Sequence, residues 1–374
     1  MIGARRRPAI LVAAAIAACA GKPLEVAPPI APADHDAATP PPVADAGVEV
    51  TFAIDAAPPP APHVYHWLKG TTHVHSVHSG DSLAPVEEVV RWYTDRGYDF
   101  IYLTDHNKVT PVDDGDGRLL VMPGIELTFN PDVCKPDPPL PTGKCRIHVN
   151  GLDVGSIPEG KLEWADRQTD QRVEQYQRGL DAVRVLGGLA VLNHPSWQWG
   201  MDGAQLIALA ARGYRLFEIG NQQFAQWDRG DELHPALDTI WDQALIAGVT
   251  LWGIASDDAH TYDQPGKYPA GGGWVMVDAE RDPLAIRAAL EEGAFYGSTG
   301  VVLARAGVED GALVVEVDAA AAGTYTIRFI GAGRLLREEV TRSARFPLDE
   351  APGYVRAVVL GPDDTMAWVQ PARP

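Results

Sequence analysis

The stretch Phe100-Ile101-Tyr102-Leu103-Thr104-Asp105-His106 joins an apolar, strand-like run directly to residues that can bind a metal ion. An earlier stretch, Thr72-His73-Val74-His75-Ser76, has the same character. Because side chains two positions apart on a strand face the same way, His73 and His75 can bind one ion together. The two stretches predict a fold in which strands end in metal ligands.

Residues of metal-binding type also follow other apolar runs. Val121-Met122-Pro123-Gly124 leads to Glu126, and Ala190-Val191-Leu192-Asn193 leads to His194. A single histidine in such a position is more often structural, but in barrel enzymes the catalytic groups stand at the carboxyl ends of several strands. An ordered series of such residues therefore indicates one metal centre. The candidate ligands are His73, His75, Asp81, His106, Glu126, His148, His194, Asp258 and His260.

The alternation of short apolar runs with amphipathic segments predicts an α/β fold. Helical segments such as residues 85–96 and 171–186 separate the strand-like runs, and repeated βα units of this kind favour a parallel barrel. From about residue 300 the helical pattern stops, and short β runs alternate with Gly, Pro and Asp turns. We therefore expect a metal-binding barrel over residues 63–299 and a small C-terminal β-sandwich over residues 300–374.

The N-terminus is typical of an export signal. Arginines at positions 5–7 precede the apolar run Ala9–Ala18, which is short for a membrane span. Ile16-Ala17-Ala18-Cys19 resembles a bacterial lipobox, in which the cysteine is lipidated; ordinary cleavage at Ala18-Cys19-Ala20 is the alternative. These features predict a signal peptide over residues 1–19.

The next segment, residues 20–62, is dominated by Ala, Pro and Asp. A segment that buries so little apolar surface does not offset the entropy of ordering, so we expect a disordered tether. Together with a lipid on Cys19, it would place an exported protein at the membrane, in the periplasm or at the cell surface.

The formal net charge of −19 limits the expected partners. An acidic chain repels phosphate backbones, so nucleic acid is not expected to bind. A small anion remains compatible with the chain, because bound cations invert the local field at a metal site. The expected partner is a small-molecule substrate, and an anionic one fits.

Two cysteines flank a proline-rich stretch. Cys134 and Cys145 enclose Lys135-Pro136-Asp137-Pro138-Pro139-Leu140-Pro141. In an exported protein, cysteines that close a short loop predict a disulfide. Two free thiols and a structural zinc site are the alternatives.

Other residues near the candidate ligands are weaker candidates. Glu218 and Asn221 end a further strand and can hydrogen-bond to ligands. Lys144 and Arg146 precede His148 and can meet an anionic substrate, although solvated loop charges are the more frequent explanation. Trp197 follows His194 and either walls a pocket or packs in the core.

The ordered set, with the motifs Gly124-Ile125-Glu126 and Asp257-Asp258-Ala259-His260, resembles the PHP domain, which is named for polymerase and histidinol phosphatase. The end of the chain, with Tyr354-Val355-Arg356 and Ala367-Trp368-Val369-Gln370-Pro371, makes the whole similar to the CehA/McbA branch, named for carbaryl hydrolases. The resemblance covers about residues 66–299. It implies a distorted barrel of seven βα units that holds two to three divalent ions.

The resemblance also implies which residues share an ion. The first position is formed by His73, His75, Glu126 and Asp258. The second is formed by Glu126 as a bridge, His148 and His194. The third is formed by Asp81, His106 and His260. Asp257 is the alternative to Asp258, whose Asp-x-His spacing puts it on the face of His260. Mixed imidazole and carboxylate ligands suit zinc, manganese or iron.

These ligands predict hydrolytic chemistry. Clustered cations lower the pKa of a bridging water to near neutrality, so the expected function is hydrolysis of a phosphoester by a metal-bridging hydroxide. Glu126, Asp258 and His194 are the candidate catalytic residues. One alternative is a carbamate, ester or amide hydrolase with the same site. The other is a non-catalytic surface-binding lipoprotein.

Overall fold

A computed structural model describes the chain over residues 63–111, 117–137, 144–157 and 162–374. The predicted signal peptide, the lipid on Cys19 and the tether over residues 20–62 lie outside these described residues. The described residues belong to one compact unit, Ala61–Pro374. Within them, the structure contains no helix that is long and apolar enough to cross a membrane.

The described residues form a mixed α/β structure, as the sequence predicted. The strands, in chain order, are β1 Trp67–Val74, β2 Phe100–Leu103, β3 Leu120–Phe129, β4 Ile147–Leu152, β5 Leu189–Leu192, β6 Leu216–Asn221, β7 Trp252–Ser256, β8 Trp274–Asp278, β9 Phe295–Ser298, β10 Leu303–Glu309, β11 Ala312–Val317, β12 Thr326–Gly331, β13 Arg334–Val340, β14 Ser343–Pro347, β15 Val355–Leu360 and β16 Met366–Ala372.

Few helices accompany these strands in the described residues. They are α1 Val86–Asp95, α2 Arg172–Val185, α3 Gly203–Arg212, α4 Ala225–Asp228, α5 Leu237–Ile246 and α6 Pro283–Glu292. Local sequence explains several of their ends. The Asp202 side chain accepts a hydrogen bond from Gln205 N at the start of α3, and Asp282 caps α6, where Pro283 fits the first turn.

Thirteen of the strands form one sheet. Its order is β13-β12-β15-β16-β9-β8-β1-β2-β3-β4-β5-β6-β7, and a separate three-stranded sheet has the order β10-β11-β14. The buried faces of α2, α3 and α5 share a hydrophobic core with strands β3 to β7, at one end of the large sheet. Because β16 pairs with β9, hydrogen bonds connect the strands after residue 300 to those that carry the candidate ligands.

The sequence favoured a parallel barrel over residues 63–299, but the strands found there are not all parallel. The pairs β1–β2, β2–β3, β5–β6 and β6–β7 are parallel, whereas β3–β4, β4–β5, β1–β8 and β8–β9 are antiparallel. The described residues between β3 and β4 contain no crossover helix, which parallel neighbours usually need. Helices α2 and α6 each precede an antiparallel strand, so a helical segment in the sequence does not fix strand direction.

The predicted disulfide is present. Cys134 and Cys145 are bonded, with their Cα atoms 5.8 Å apart. Arg172, at the start of α2, places its Nη2 3.0 Å from the Cys134 Sγ. The bond therefore fastens the loop that leads into β4, the strand that contains His148.

A buried ion-pair cluster connects α5 to β15. Arg356 on β15 is almost fully buried, and its guanidinium lies 2.7 Å from Asp238 and 2.8 Å from Asp242 of α5. Tyr354 also donates to Asp242 at 2.7 Å. A charge buried this deeply is tolerated only when it is paired, so these contacts fix the C-terminal strands against the α5 side of the sheet.

Candidate metal centre

The structure brings the nine predicted ligands into one cluster. His73 lies in β1, Glu126 in β3 and His148 in β4, while His106 follows β2 and His194 follows β5. The remaining members stand in loops: His75 and Asp81 after β1, and Asp258 and His260 after β7. Three groups have ligand atoms that all lie within 4.8 Å of one another: His73, His75 and Asp258; Glu126, His148 and His194; and His75, Asp81, His106 and His260.

Glu126 stands at the centre of the cluster. Its Oε1 lies 3.5 Å from His73 Nε2, 3.5 Å from His194 Nε2 and 2.9 Å from His148 Nδ1. Its Oε2 lies 3.5 Å from His75 Nε2. One carboxylate therefore faces imidazoles from both sides, which is the geometry of a bridging ligand.

The spacing around Asp258 fits a bound ion better than direct hydrogen bonds. Asp258 Oδ1 lies 3.4 Å from His73 Nε2 and 3.3 Å from His75 Nε2. Ligand atoms about 2.1 Å from a tetrahedral ion are about 3.4 Å apart, whereas N–H···O bonds are usually 2.7–3.2 Å. Both Nε2 atoms are buried and have no hydrogen-bond partner in the part of the chain that the structure describes. Buried polar atoms rarely stay unpaired, so the residues fit cations between them.

The charge states of Glu126 and His148 suit a cation site. Burial would raise the pKa of the Glu126 carboxyl, but His106, His148 and His73 together hold that pKa well below its ordinary value. Burial lowers the pKa of His148 to about 4, so this imidazole is neutral at neutral pH. An ionised carboxylate and a neutral imidazole are the forms that bind metals.

The structure distinguishes the two adjacent aspartates. Asp258 faces His73 and His75, as its distances show. Asp257 is buried and points elsewhere: it accepts hydrogen bonds from Tyr93 Oη at 2.7 Å and from Gly273 N at 2.9 Å. Asp258 is therefore the carboxylate that belongs to the cluster.

The most exposed members of the cluster are Asp81 and His106. Asp81 Oδ2 lies 3.1 Å from His106 Nε2 and 3.3 Å from His260 Nε2, and its side chain is half exposed. His73 and His75, in contrast, are fully buried. The cluster is therefore open to solvent on the side of Asp81.

Two ligands adopt backbone conformations that L-residues rarely take. His194 has φ +26° and Asp258 has φ +48°. Such residues cost about 1–3 kcal/mol each and persist where the surroundings hold them. His194 N donates to Glu218 Oε2 at 2.5 Å, which holds the first of them.

Glu218 hydrogen-bonds to two of the candidate ligands, as its position near the end of β6 suggested. His73 Nδ1 donates to its Oε1 at 2.7 Å, and Ser256 Oγ donates to the same oxygen at 2.6 Å. Asn221 Nδ2 donates to Oε2 at 2.9 Å, beside the bond from His194 N. Because Nδ1–H of His73 donates to this carboxylate, the ring is held with its other nitrogen, Nε2, toward Glu126.

Glu218→Gln is expected to weaken metal binding about 10- to 100-fold, as loss of an outer-shell partner usually does. All four partners of Glu218 donate hydrogen bonds, so the amide NH2 of glutamine would face at least one donor. Titration of the metal-free protein with Zn²⁺ or Mn²⁺ measures the effect. Glu309→Gln, on β10, is the matched control and should leave the affinity unchanged; an unchanged affinity in Glu218→Gln would contradict the assigned role.

Several supporting residues were not identified from the sequence. Asn193 Nδ2 donates to Glu126 Oε1 at 2.9 Å, Thr128 Oγ1 lies 2.7 Å from His106 Nδ1, and Asn130 Oδ1 lies 2.9 Å from His148 Nε2. Ser79 Oγ lies 2.8 Å from His75 Nδ1. Each stands within four positions of a ligand, so proximity in the sequence was the available signal.

Aromatic rings enclose part of the cluster. The Trp197 ring lies 5.1 Å from the His194 ring and 5.8 Å from the His148 ring, between centroids. Phe224 lies 4.8 Å from His194, and Tyr268 lies 5.2 Å from His260. Trp197 therefore packs against the histidine rings and also borders the site, so both of the roles that the sequence left open apply to it.

Comparison of the chain with models of known protein families found no match, and comparison with curated proteins found none either.

Proposed function

We propose that this chain is an exported, metal-dependent hydrolase of the PHP type, similar to the CehA/McbA branch, that cleaves a phosphoester of a small molecule. The observation that carries the proposal is the position of Glu126. Its two carboxylate oxygens face the Nε2 atoms of His73 and His194 on one side and of His75 on the other, at 3.5 Å in each case. The proposed export rests on residues 1–19 of the sequence.

A PHP-type barrel is part of this proposal. In support of it, the large sheet continues from β9 through β1 to β7, and β9 approaches β7 closely. A Cβ atom at Gly297 of β9 would lie 2.8 Å from Ala255 N of β7. A bridge also pairs Val74, at the end of β1, with Ala259 beyond β7. Strands that return to one another in this way bring the ends of β1, β3 and β7 to one place.

Divalent ions bound here would activate a water and offset the negative charge that develops on a phosphoryl group. The chain holds the ligands for this task in fixed orientations. Glu218 orients His73 through Nδ1, and Asn193 orients Glu126 through Oε1. Since these supports are buried, the ligands lose little entropy when they bind ions.

The open side of the cluster indicates how a substrate would approach. The half-exposed Asp81 and the partly exposed His106 border the solvent, while the Trp197 ring stands beside His148 and His194, which belong to another of the three groups. A small ester can reach the centre from the side of Asp81. The Trp197 ring excludes water beside those two histidines, which strengthens electrostatic interactions within the site.

Metal analysis combined with a substrate panel tests the proposal. We expect two to three divalent ions per purified chain, and turnover of p-nitrophenyl phosphate that disappears with a chelator and returns with Zn²⁺, Mn²⁺ or Fe²⁺. Fewer than one ion per chain after reconstitution would instead favour a non-catalytic binding lipoprotein. Full metal loading without turnover of any ester would contradict hydrolysis.

A carbamate or carboxylic ester hydrolase is the second candidate, and one observation favours it. A cavity of about 250 Å³ lies beside Asn107 and Thr128, next to His106, and is lined by the apolar side chains of Phe129, Leu162 and Trp164. Such a wall suits a neutral, apolar leaving group. Faster turnover of naphthyl carbamates than of aryl phosphates would select this function.

A further inference from the structure

Arg146 is a cation beside the cluster and forms no ion pair with any acidic residue in the described ranges. Its Nε is buried and has no hydrogen-bond partner among the residues that the structure describes. The guanidinium carbon instead lies 4.7 Å from the centroid of the Trp197 ring. The buried Arg356, by comparison, is paired with Asp238 and Asp242. In a chain of net charge −19, an arginine that no described carboxylate pairs with is available to an external anion.

The ring that supports Arg146 also touches metal ligands. Trp197 contacts the rings of His148 and His194, as described above. Arg146 also precedes His148 by two positions, a spacing at which side chains of an extended chain point the same way. The Trp197 ring therefore lies in contact with both the guanidinium and the two histidines grouped with Glu126.

A second cation, Lys267, also lies over an aromatic ring that contacts a candidate ligand. Lys267 Nζ lies 4.4 Å from the centroid of the Tyr268 ring, and that ring lies 5.2 Å from His260. Cation–aromatic contacts hold a charge in place and leave its hydrogen-bond donors free. Two basic side chains therefore stand on aromatic rings that contact candidate ligands.

We propose that Arg146 is the specificity-determining residue of the site and binds the non-bridging oxygens of the substrate's phosphoryl group. The planar guanidinium presents parallel N–H donors that match such oxygens, and an arginine–phosphate pair of this kind is both strong and directional. This inference rests on the proposed function, and it adds that anionic phosphoesters are preferred over neutral esters.

Inorganic phosphate is the ligand that tests this inference. In the metal-loaded full chain, Arg146→Met should weaken phosphate binding about 10- to 100-fold, as measured by calorimetry, because a charge-assisted hydrogen-bond pair is lost. Methionine keeps an unbranched apolar side chain on Trp197. Arg146→Lys, which keeps the charge, should recover part of the affinity.

Arg337→Met is the matched control, because the Arg337 guanidinium also stacks on an aromatic ring, 4.9 Å from the centroid of Phe346. It should leave phosphate binding unchanged. Equal losses in both variants, unchanged phosphate binding in Arg146→Met, or a wild-type protein that does not bind phosphate would each overturn the inference. Loss of metal from Arg146→Met would also overturn it, because the residue would then support the ligands.

Kinetics separate this inference from the proposed function. In Arg146→Met, kcat/KM for p-nitrophenyl phosphate should fall about 10- to 100-fold, while turnover of a neutral p-nitrophenyl ester should stay within a few-fold of wild type. Phosphate binding that depends on Arg146 in a protein that cleaves only neutral esters would refute the phosphoesterase and retain the anion site. Phosphoester turnover that does not change in Arg146→Met would support the phosphoesterase and refute the anion site at Arg146.

Discussion

Glu126→Gln is expected to remove metal and activity together. The substitution keeps the shape of the side chain but removes its charge and replaces one oxygen with an NH2 group. Both oxygens of Glu126 face imidazole nitrogens, with Oε1 beside His73 and His194 and Oε2 beside His75. An amide in this place presents hydrogen atoms to at least one ion. We expect loss of at least one ion per chain.

The expected loss of kcat/KM is larger than the roughly 10- to 100-fold effect of an outer-shell change, because a ligand itself is altered. Elemental analysis of the purified variant and kinetics on the best substrate measure the two effects. Glu309→Gln controls for the chemistry of the substitution away from the cluster. Full metal content in Glu126→Gln would refute the bridging role, whereas metal loss with intact activity would place the chemistry elsewhere.

The candidate ligands could be predicted from the sequence because local pattern fixes much of their placement. His73 and His75 are two residues apart in an extended segment, and their Nε2 atoms lie 3.4 and 3.3 Å from the same oxygen of Asp258. Glu126 could be placed because it follows an apolar run, and His148 because it lies in one; both stand at buried positions of strands. Alternation along a strand is a local property, so it can be recognised without knowledge of neighbouring strands.

The contacts that orient the ligands could not be predicted in the same way. Glu218 meets Ser256 because β6 and β7 pair in a register that aligns Glu218 with Ile254. A shift of one residue would turn Glu218 to the other face of the sheet. Register depends on both strands at once, so the sequence indicated that Glu218 lies at the rim but not which atoms it binds.

The direction of the strands could not be predicted from the local sequence pattern either. β4 runs antiparallel to both β3 and β5, although α2 lies between β4 and β5. The sequence shows that a helix intervenes, but the direction of the next strand depends on how the loops return the chain. In this chain the reversal at β4 brings His148 beside Glu126, with His148 Nδ1 2.9 Å from Glu126 Oε1.

The adjacent aspartates provide the second prediction of large effect. Asp258→Asn is expected to lose an ion and to lower kcat/KM by about 100-fold or more, because Oδ1 of Asp258 lies between His73 and His75. Asp257→Asn is the matched variant, one residue away and equally buried in the fold. It should keep its full metal content, because Asp257 faces Tyr93 and two glycine amides instead of the histidines.

Asp257→Asn should also fold, because asparagine can keep the hydrogen bonds that Asp257 accepts from backbone amides. Oδ1 of Asp257 accepts from Gly271 N at 3.0 Å and from Gly273 N at 2.9 Å, and an asparagine carbonyl oxygen can accept both bonds. The new NH2 group would face Tyr93 Oη, a hydroxyl that can rotate from donor to acceptor. We expect a loss of about 1 kcal/mol in the free energy of unfolding, measured by denaturant titration. Loss of metal from Asp257→Asn, with metal retained in Asp258→Asn, would make Asp257 the ligand instead of Asp258. The loop after β7 would then have a different arrangement.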